Sequence, residues 1–105
     1  MTLANDPNLS RLKTALQRLY GDEIDRVVLF GSRARGDARA DSDYDIAVFL
    51  KHLPDVWRER WRLADLRVAC LDDTGAFLDA KPYPSAAWRD RTPLMHEIRQ
   101  DGVEI

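Results

Sequence analysis

The sequence predicts a small α/β (α+β) domain, in which a mixed β-sheet carries its helices on one face. Helical and strand patterns alternate along the chain, and 105 residues are too few for a second hydrophobic core. The predicted order is helix, strand, helix, strand, helix, strand, helix, and residues 103–105 are compatible with a last strand. Because no linker or repeat divides the chain, we treat residues 1–105 as one domain.

The first predicted helix begins at Asp6 and Pro7 and ends near Gly21. Aspartate is a favourable N-cap, and proline fits the first helical position because no backbone N–H is needed there. Leucines then recur at spacings of three and four, which is typical of an amphipathic helix packed on a core. They are Leu9, Leu12, Leu16 and Leu19.

Two strands flank a short helix in the middle of the chain. Residues 26–30 are mostly apolar and end at Gly31, so they predict a buried strand. Residues 33–38 fit a short helix capped by Ser32. Residues 43–50 alternate as a second strand should.

A second long helix is predicted to begin at Pro54 and to end near Gly75. Its apolar residues fall on one stripe, which we expect to face the core, while its charged residues face solvent. The expected core stripe is Trp57, Trp61, Ala64, Val68 and Leu71, and the expected solvent face carries Arg58, Glu59, Arg62 and Asp65.

The remainder of the chain predicts one strand and one helix. Residues 76–81 fit a third strand that Pro82 stops, because proline cannot donate a hydrogen bond to a sheet. Ser85 is the expected cap of a last helix, which Pro93 interrupts and which ends by Gly102. This helix is expected to contain Trp88, Leu94, Met95 and Ile98.

Composition limits the classes of function. Although 13 of the 16 basic residues are arginine, the net charge is −2, so we expect no direct binding to DNA. Cys70 is the only cysteine, which excludes an internal disulfide and makes a small core residue the simplest interpretation. The chain shows no secretion leader and no long apolar segment, so we expect a cytoplasmic protein without membrane contact.

The most informative motif is a Gly-Ser pair, ten intervening residues and two aspartates. Gly31 and Ser32 follow the first strand, and Asp43 and Asp45 open the second. Residues two apart in a strand project from the same face, so the two carboxylates repel unless a divalent cation lies between them. Such oxygen ligands favour Mg²⁺ or Mn²⁺. Glycine lets a phosphate approach the backbone, and Ser32 precedes the amides of a helix N-terminus, so the motif predicts a triphosphate with its metal.

A third carboxylate would complete a site for two metal ions. Asp79 is the only acid within the predicted third strand and is our candidate. Asp72 and Asp73 are the alternatives, although they fit the end of the preceding helix better.

Polar residues between the two ends of the motif are candidates for nucleotide binding. Arg33 and Arg35 are expected to add positive charge near the phosphates, since arginine binds phosphate through a planar fork. Ser42 directly precedes Asp43, and two interpretations stay open for it: a hydrogen bond to a carboxylate or a phosphate, or a plain turn serine. Tyr44 points to the opposite face of the strand and is expected to pack under a helix.

Gly31-Ser32, the ten-residue gap, Asp43-x-Asp45 and the later Asp79 resemble the nucleotidyltransferase superfamily of polymerase β type. The short chain is similar to its minimal nucleotidyltransferase (MNT) branch. The resemblance implies a polymerase β-like palm fold that binds ATP with two Mg²⁺ ions and transfers AMP to an acceptor hydroxyl. It assigns Asp43 and Asp45 to both metals, Asp79 to the acceptor-side metal, and the Gly-Ser turn to the triphosphate.

The same resemblance suggests a partner protein. Minimal members resemble antitoxins encoded beside a helical HEPN ribonuclease, and some modify a tyrosine of that partner with AMP. No separate acceptor-binding domain is evident, so a HEPN-type toxin is expected to supply the acceptor. If the protein acts by stoichiometric binding instead, Tyr83, Trp88 and the arginine-rich helices are the candidate interface. Two alternatives stay open: inhibition by stoichiometric binding with a vestigial site, and adenylylation of a small molecule such as an aminoglycoside.

Overall fold

The structure, a computed structural model, describes residues 5–105 and confirms the predicted alternation of helices and strands. Two 3₁₀ turns, Gly21–Glu23 and Ser85–Arg89, supplement the longer elements. The helices are α1 (Pro7–Tyr20), α2 (Ser32–Arg35), α3 (Val56–Thr74) and α4 (Pro93–Asp101), and the strands are β1 (Ile24–Phe30), β2 (Tyr44–Leu50), β3 (Leu78–Pro84) and β4 (Val103–Glu104). No helix within residues 5–105 has the length and apolarity that crossing a membrane requires.

Four strands form one mixed sheet in the order β3-β2-β1-β4. β2 lies inside the sheet, antiparallel to β1 and parallel to β3, and β4 adds antiparallel to β1. β3 continues to Pro84, so the prediction that Pro82 stops this strand was wrong. Prolines are tolerated because β3 is an edge strand, one side of which has no neighbouring strand to receive a hydrogen bond.

The two faces of the sheet are covered by different helices. On one face α1 and α3 pack over Ile46 and Val48 of β2, together with the predicted leucines of α1. On the other face Phe49 of β2 packs with Met95 and Ile98 of α4. The prediction that the helices cover one face therefore holds for α1 and α3 only. The helix α4 packs on the opposite face, which carries the odd-numbered residues of β2.

The start of β2 is fixed to the N-terminus of α1. Tyr44 is buried, and its hydroxyl donates to Asp6 Oδ2 at 2.8 Å. Asp6 Oδ1 accepts from the backbone N–H of Asn8 at 2.8 Å, which makes Asp6 the N-cap of α1 as predicted. Tyr44 thus packs under a helix, as the alternation of β2 predicted, and anchors β2 from one face only.

The face of α3 that packs on the sheet is opposite to the predicted one. Trp57, Trp61 and Val68 are 67%, 72% and 58% exposed, whereas Leu63 and Cys70 are buried. The helix carries two apolar stripes, and the sheet covers the stripe that contains Leu63 and Cys70. The prediction of a tryptophan stripe in the core was wrong because periodicity alone cannot choose between two stripes.

The core face of α3 was hard to predict because it contains a buried carboxylate. The side chain of Glu59 is only 4% exposed, although its type predicted solvent. Arg62 Nη1 donates to Glu59 Oε1 at 2.7 Å, and Arg58 Nε donates to Glu59 Oε2 at 3.4 Å. Because both oxygens have cationic donors, the carboxylate can lie against the core.

The segment after β3 differs from the predicted single helix. Ser85 does not cap a helix, since its hydroxyl donates to the backbone carbonyl of Leu50 at 3.1 Å. Thr92 caps α4, and Pro93 is the first residue of that helix instead of an interruption. Proline at a first helical position costs no hydrogen bond, so one short helix replaces the long one.

The two aromatic residues expected at a partner surface belong to the second core. The rings of Tyr83 and Trp88 lie with their centroids 5.7 and 5.5 Å from that of Phe49. The guanidinium of Arg26 covers the Trp88 ring at 4.1 Å. Tyr83 and Trp88 are therefore half-buried and offer little free surface to a partner.

We expect truncations of the two apolar stripes of α3 to differ in cost. Leu63→Ala should lower the free energy of unfolding by about 2–5 kcal/mol, because it opens a cavity under the helix. Trp61→Ala should change it by less than about 0.5 kcal/mol, since substitutions at exposed sites are close to neutral. Urea unfolding followed by circular dichroism measures both values. Equal losses in the two variants would contradict the orientation of α3.

Candidate active site

The turn after β1 brings its backbone against the side chain of Asp45. Gly31 adopts φ 74° and ψ −157°, a conformation that side-chain-bearing residues rarely adopt. A Cβ atom at this position would overlap the carboxylate of Asp45. Glycine is thus required twice, for its backbone conformation and for the close approach.

Gly31 also begins α2, in place of the predicted Ser32. The carbonyl of Gly31 accepts from the backbone N–H groups of Ala34 and Arg35, both at 3.1 Å. Gly31 is the N-cap and Ser32 the first helical residue, so the prediction of Ser32 as the cap was wrong. Because glycine provides no side chain, no side-chain hydrogen bond caps this short helix.

Asp45 and Asp79 lie opposite each other on neighbouring strands. The parallel register of β2 and β3 pairs the two residues directly. Paired residues of adjacent strands project from the same face, and such strands lie only about 4.8 Å apart. The structure therefore brings Asp79 to Asp45, as the predicted third carboxylate required.

The environment of Asp45 disfavours its charge. Burial raises the pKa of Asp45, and the charges of Asp79 and then Asp43 raise it further. Lys81 acts in the opposite direction, and Glu97 adds a last, smaller repulsion. This is the pattern expected where like charges are held together by the fold.

The other acids of the motif differ in position. Asp43 is exposed in the loop just before β2, close enough to act on the pKa of Asp45. Asp73, one of the two alternatives to Asp79, lies in the last turn of α3 and forms a salt bridge with Arg11 at 2.7 Å. Asp72 is likewise exposed in that turn, so Asp79 alone of the three candidates is paired with Asp45.

Two cationic side chains face Asp79. Arg67 Nη1 lies 3.7 Å from Asp79 Oδ1, and Lys81 Nζ lies 3.8 Å from Asp79 Oδ2. Within residues 5–105, no three carboxylate, histidine or cysteine side chains already converge as a metal-binding group. The donors at hand are carboxylate oxygens, the ligands that Mg²⁺ prefers, and their mutual repulsion is what a cation would relieve.

Arg33 is engaged by the loop that precedes β2. Its guanidinium donates to the carbonyl of Ser42 at 2.8 and 3.1 Å and to that of Ala40 at 3.1 Å. It also lies 4.1 Å from the centre of the Tyr44 ring, on the face opposite to Asp45. The structure thus gives Arg33 a role in ordering this loop.

Ser42 and Arg35 have separate contacts. The hydroxyl of Ser42 accepts from the backbone N–H of Arg39 at 2.9 Å, inside the loop. Arg35 contacts Asp37 at 3.3 Å and Glu97 at 3.4 Å, and all three side chains are well exposed. Of the two arginines predicted to bind phosphate, Arg35 is therefore the one that contacts Glu97, the acid of α4 that also acts on the pKa of Asp45.

Three charged residues near the site were not predicted. Lys81 follows Asp79 by two positions in β3, so the strand period could have placed it on the same face. Arg67 on α3 and Glu97 on α4 come from helices that cover opposite faces of the sheet. No local sequence signal connects either of them with the motif.

Comparison with known proteins gives consistent results. A family model described as a nucleotidyltransferase domain matches residues 9–90. Over 97 residues the chain is 39% identical to "Putative protein adenylyltransferase MJ0141" of Methanocaldococcus jannaschii, covering 92% of this chain and 94% of that protein.

Solved structures with the same fold include toxin-antitoxin proteins. A toxin-antitoxin crystallised with AMP-PNP is similar with a TM-score of 0.63 and 26% identity, over 89% of this chain and 68% of that one. A toxin-antitoxin MntA-HpeT mutant is similar with a TM-score of 0.61 and 25% identity, over 91% of this chain and 70% of that one.

The family match covers the Gly31 turn, both aspartates of the motif and Asp79. This match agrees with the family resemblance that the motif from Gly31 to Asp79 indicated. The sheet register adds that Asp45 and Asp79 meet on one face. The chain therefore belongs to the nucleotidyltransferase domain family.

Proposed function

We propose that this chain is a Mg²⁺-dependent protein adenylyltransferase. It transfers AMP from ATP to a tyrosine hydroxyl of a HEPN-type toxin and thereby acts as the antitoxin. The observation that carries the proposal is the pairing of Asp45 with Asp79 beside the Gly31 turn. Support comes from the 39% identical relative named "Putative protein adenylyltransferase MJ0141" and from the similar toxin-antitoxin crystallised with AMP-PNP.

In the proposed reaction the acceptor oxygen attacks the α-phosphorus of ATP in line. The bond between that phosphorus and the oxygen bridging to the β-phosphate breaks, so AMP joins the acceptor and pyrophosphate leaves. Asp79 takes the proton of the hydroxyl. Asp43, Asp45 and Asp79 would hold Mg²⁺, which when bound lowers the pKa of the hydroxyl and neutralises the phosphates.

The residues around Gly31 have different roles in the proposed binding of the nucleotide. Gly31 leaves room for the β- and γ-phosphates to approach the backbone. Arg35 can turn to them at little cost, because its contacts with Asp37 and Glu97 are exposed. Arg33 and Ser42 support this arrangement indirectly, through the loop that delivers Asp43.

The central test is AMP transfer to the product of the gene adjacent to that of this chain. With labelled ATP and Mg²⁺ that protein should become labelled, and Asp43→Ala combined with Asp45→Ala should reduce labelling below detection. Asp72→Ala combined with Asp73→Ala is the matched control, since it removes two acids that are not paired with Asp45, and it should label normally. If the adjacent protein binds without being labelled, inhibition by stoichiometric binding is the better explanation.

The close approach at Gly31 can be tested separately. Gly31→Ala should reduce AMP transfer by about 100-fold, because a misplacement of about 1 Å in a catalytic site can have that effect. Gly75→Ala is the control for a substituted glycine of positive φ, since Gly75 also has φ +74°, with ψ 5° instead of −157°, and an added Cβ there meets nothing within 4 Å. Initial rates of labelling, with unfolding temperatures as a check on the fold, measure the difference. Equal activity in the two variants would show that contact with Asp45 is unimportant.

Asp45 should make the metal-free protein less stable at neutral pH. Because the folded state raises the pKa of Asp45, its contribution to stability is favourable when the carboxyl is protonated and is lost as the pH rises through the raised pKa. Asp45→Asn should therefore raise the unfolding temperature at pH ~7, and the gain should shrink toward pH ~4, near the usual pKa of aspartate.

Thermal unfolding in EDTA at both pH values measures this effect. Asp65→Asn, at an exposed position of α3, is the control for loss of a surface charge. Added Mg²⁺ should then stabilise the wild type more than Asp45→Asn. A variant that is less stable than the wild type at neutral pH would disprove the repulsion at this position.

A further inference from the structure

The outward face of α3 carries an apolar stripe that nothing in residues 5–105 covers. Trp57, Trp61 and Val68 are 67%, 72% and 58% exposed, and Ala64 between them is also exposed. At a rise of about 1.5 Å per residue the stripe extends over roughly 16 Å, or three helical turns. Exposed tryptophans grouped on one surface are typical of protein interaction sites, where this residue type contributes most.

The two flanks of this tryptophan stripe differ in charge, because one carries two arginines and the other carries two aspartates together with Arg58. With 3.6 residues per turn, Arg60 and Arg67 lie along one flank and Asp65 and Asp72 along the other. All four side chains are exposed. The guanidinium of Arg60 lies 5.2 Å from the centre of the Trp57 ring, which links the arginine flank to the stripe.

The arginine flank borders the candidate active site. Arg60 and Arg67 line a shared depression with Asp79 and Lys81 of β3. Arg67 Nη1 lies 3.7 Å from Asp79 Oδ1. A molecule bound along the tryptophan stripe would therefore lie beside the carboxylate that is proposed to receive the acceptor proton.

We propose that the tryptophan stripe is the docking surface for an amphipathic helix of the partner protein. That helix places apolar side chains on Trp57, Trp61 and Val68 and acidic side chains over Arg60 and Arg67. The inference rests on the proposed function for the existence of a protein acceptor. It adds to that function the surface that holds the partner and the chemistry of the segment that binds there.

A helix fits this surface better than an added strand. The stripe is the convex ridge of one helix, and such ridges pack into the grooves of other helices. The nearby sheet edge is β3, which contains Pro82 and Pro84 and is poorly suited to receive a further strand. The partner segment is therefore expected to be helical over about three turns.

Charge argues against an antiparallel second copy of this chain as the occupant, whereas a parallel copy would set the arginine flank beside the acidic flank and is distinguished by the light-scattering test below. Two α3 helices packed antiparallel about a two-fold axis would place their arginine flanks on the same side of the interface. Arg60 and Arg67 of one copy would then meet the same residues of the other, which is repulsive. An acidic flank on a different protein meets the arginines with complementary charge.

The test measures binding to the purified product of the adjacent gene by titration calorimetry. Trp61→Ala and, separately, Val68→Glu should weaken binding by at least about tenfold, since a central tryptophan is the residue type most often dominant at interfaces. Leu94→Ala, which truncates an exposed apolar residue of α4, is the matched control and should bind like the wild type. Circular dichroism verifies that each variant is folded.

Charge reversal tests the assigned orientation. Arg60→Glu should weaken binding and reduce its dependence on salt, because it removes an attraction to acidic partner residues. Asp65→Lys, on the opposite flank, should leave binding unchanged or strengthen it. Equal weakening by the two reversals would overturn the acidic character of the partner helix.

Binding and AMP transfer are read separately, so the two proposals can fail independently. If the wild type binds the adjacent protein but does not label it, while Trp61→Ala loses binding, the docking surface stands and the proposed reaction falls. If labelling occurs and Trp61→Ala binds as the wild type does, or if the wild type does not bind, the docking surface is overturned. It is also overturned if light scattering shows that the chain alone forms a dimer that Trp61→Ala dissociates.

Discussion

The close approach of Gly31 to Asp45 is the constraint on which the rest of the site depends. The antiparallel register pairs Phe30 with Asp45, so the turn after β1 necessarily lies beside the carboxylate that opens β2. Only a residue without a Cβ can occupy that turn without displacing the carboxylate. The backbone itself thereby keeps the open space at Gly31 next to the carboxylate of Asp45.

The fold holds Asp45 close to Asp79 because β2 is anchored through its other face. Tyr44 and its hydrogen bond to Asp6 fix the start of β2 on the side of α1, while Asp45 projects to the other side. The alternation of a strand makes this division possible. Burial and the repulsion from Asp79 and Asp43 raise the pKa of Asp45, a strain that is common where a site is arranged for function and not for stability.

Charged residues from both sides of the sheet surround this pair of carboxylates. Arg67 on α3 and Lys81 on β3 face Asp79, and Glu97 on α4 acts on Asp45. The same helix α3 exposes Trp57 and Trp61, and its Arg60 and Arg67 line a depression together with Asp79. Arg67 thus connects the exposed face of α3 with Asp79 at the edge of the sheet.

The local pattern of the chain determined the order of elements, the N-cap of α1 and the motif from Gly31 to Asp45, because these depend on neighbours in sequence. It also singled out Asp79, since this is the only acid within the predicted third strand. Pairing of Asp79 with Asp45 was decided by the parallel register of β2 and β3, which no local signal encodes.

The tertiary structure alone decided which stripe of α3 is buried, because both stripes are apolar and two arginines compensate Glu59. It likewise set Arg33 against the loop carbonyls and Glu97 near Asp45, since such contacts join residues whose separation in sequence carries no pattern.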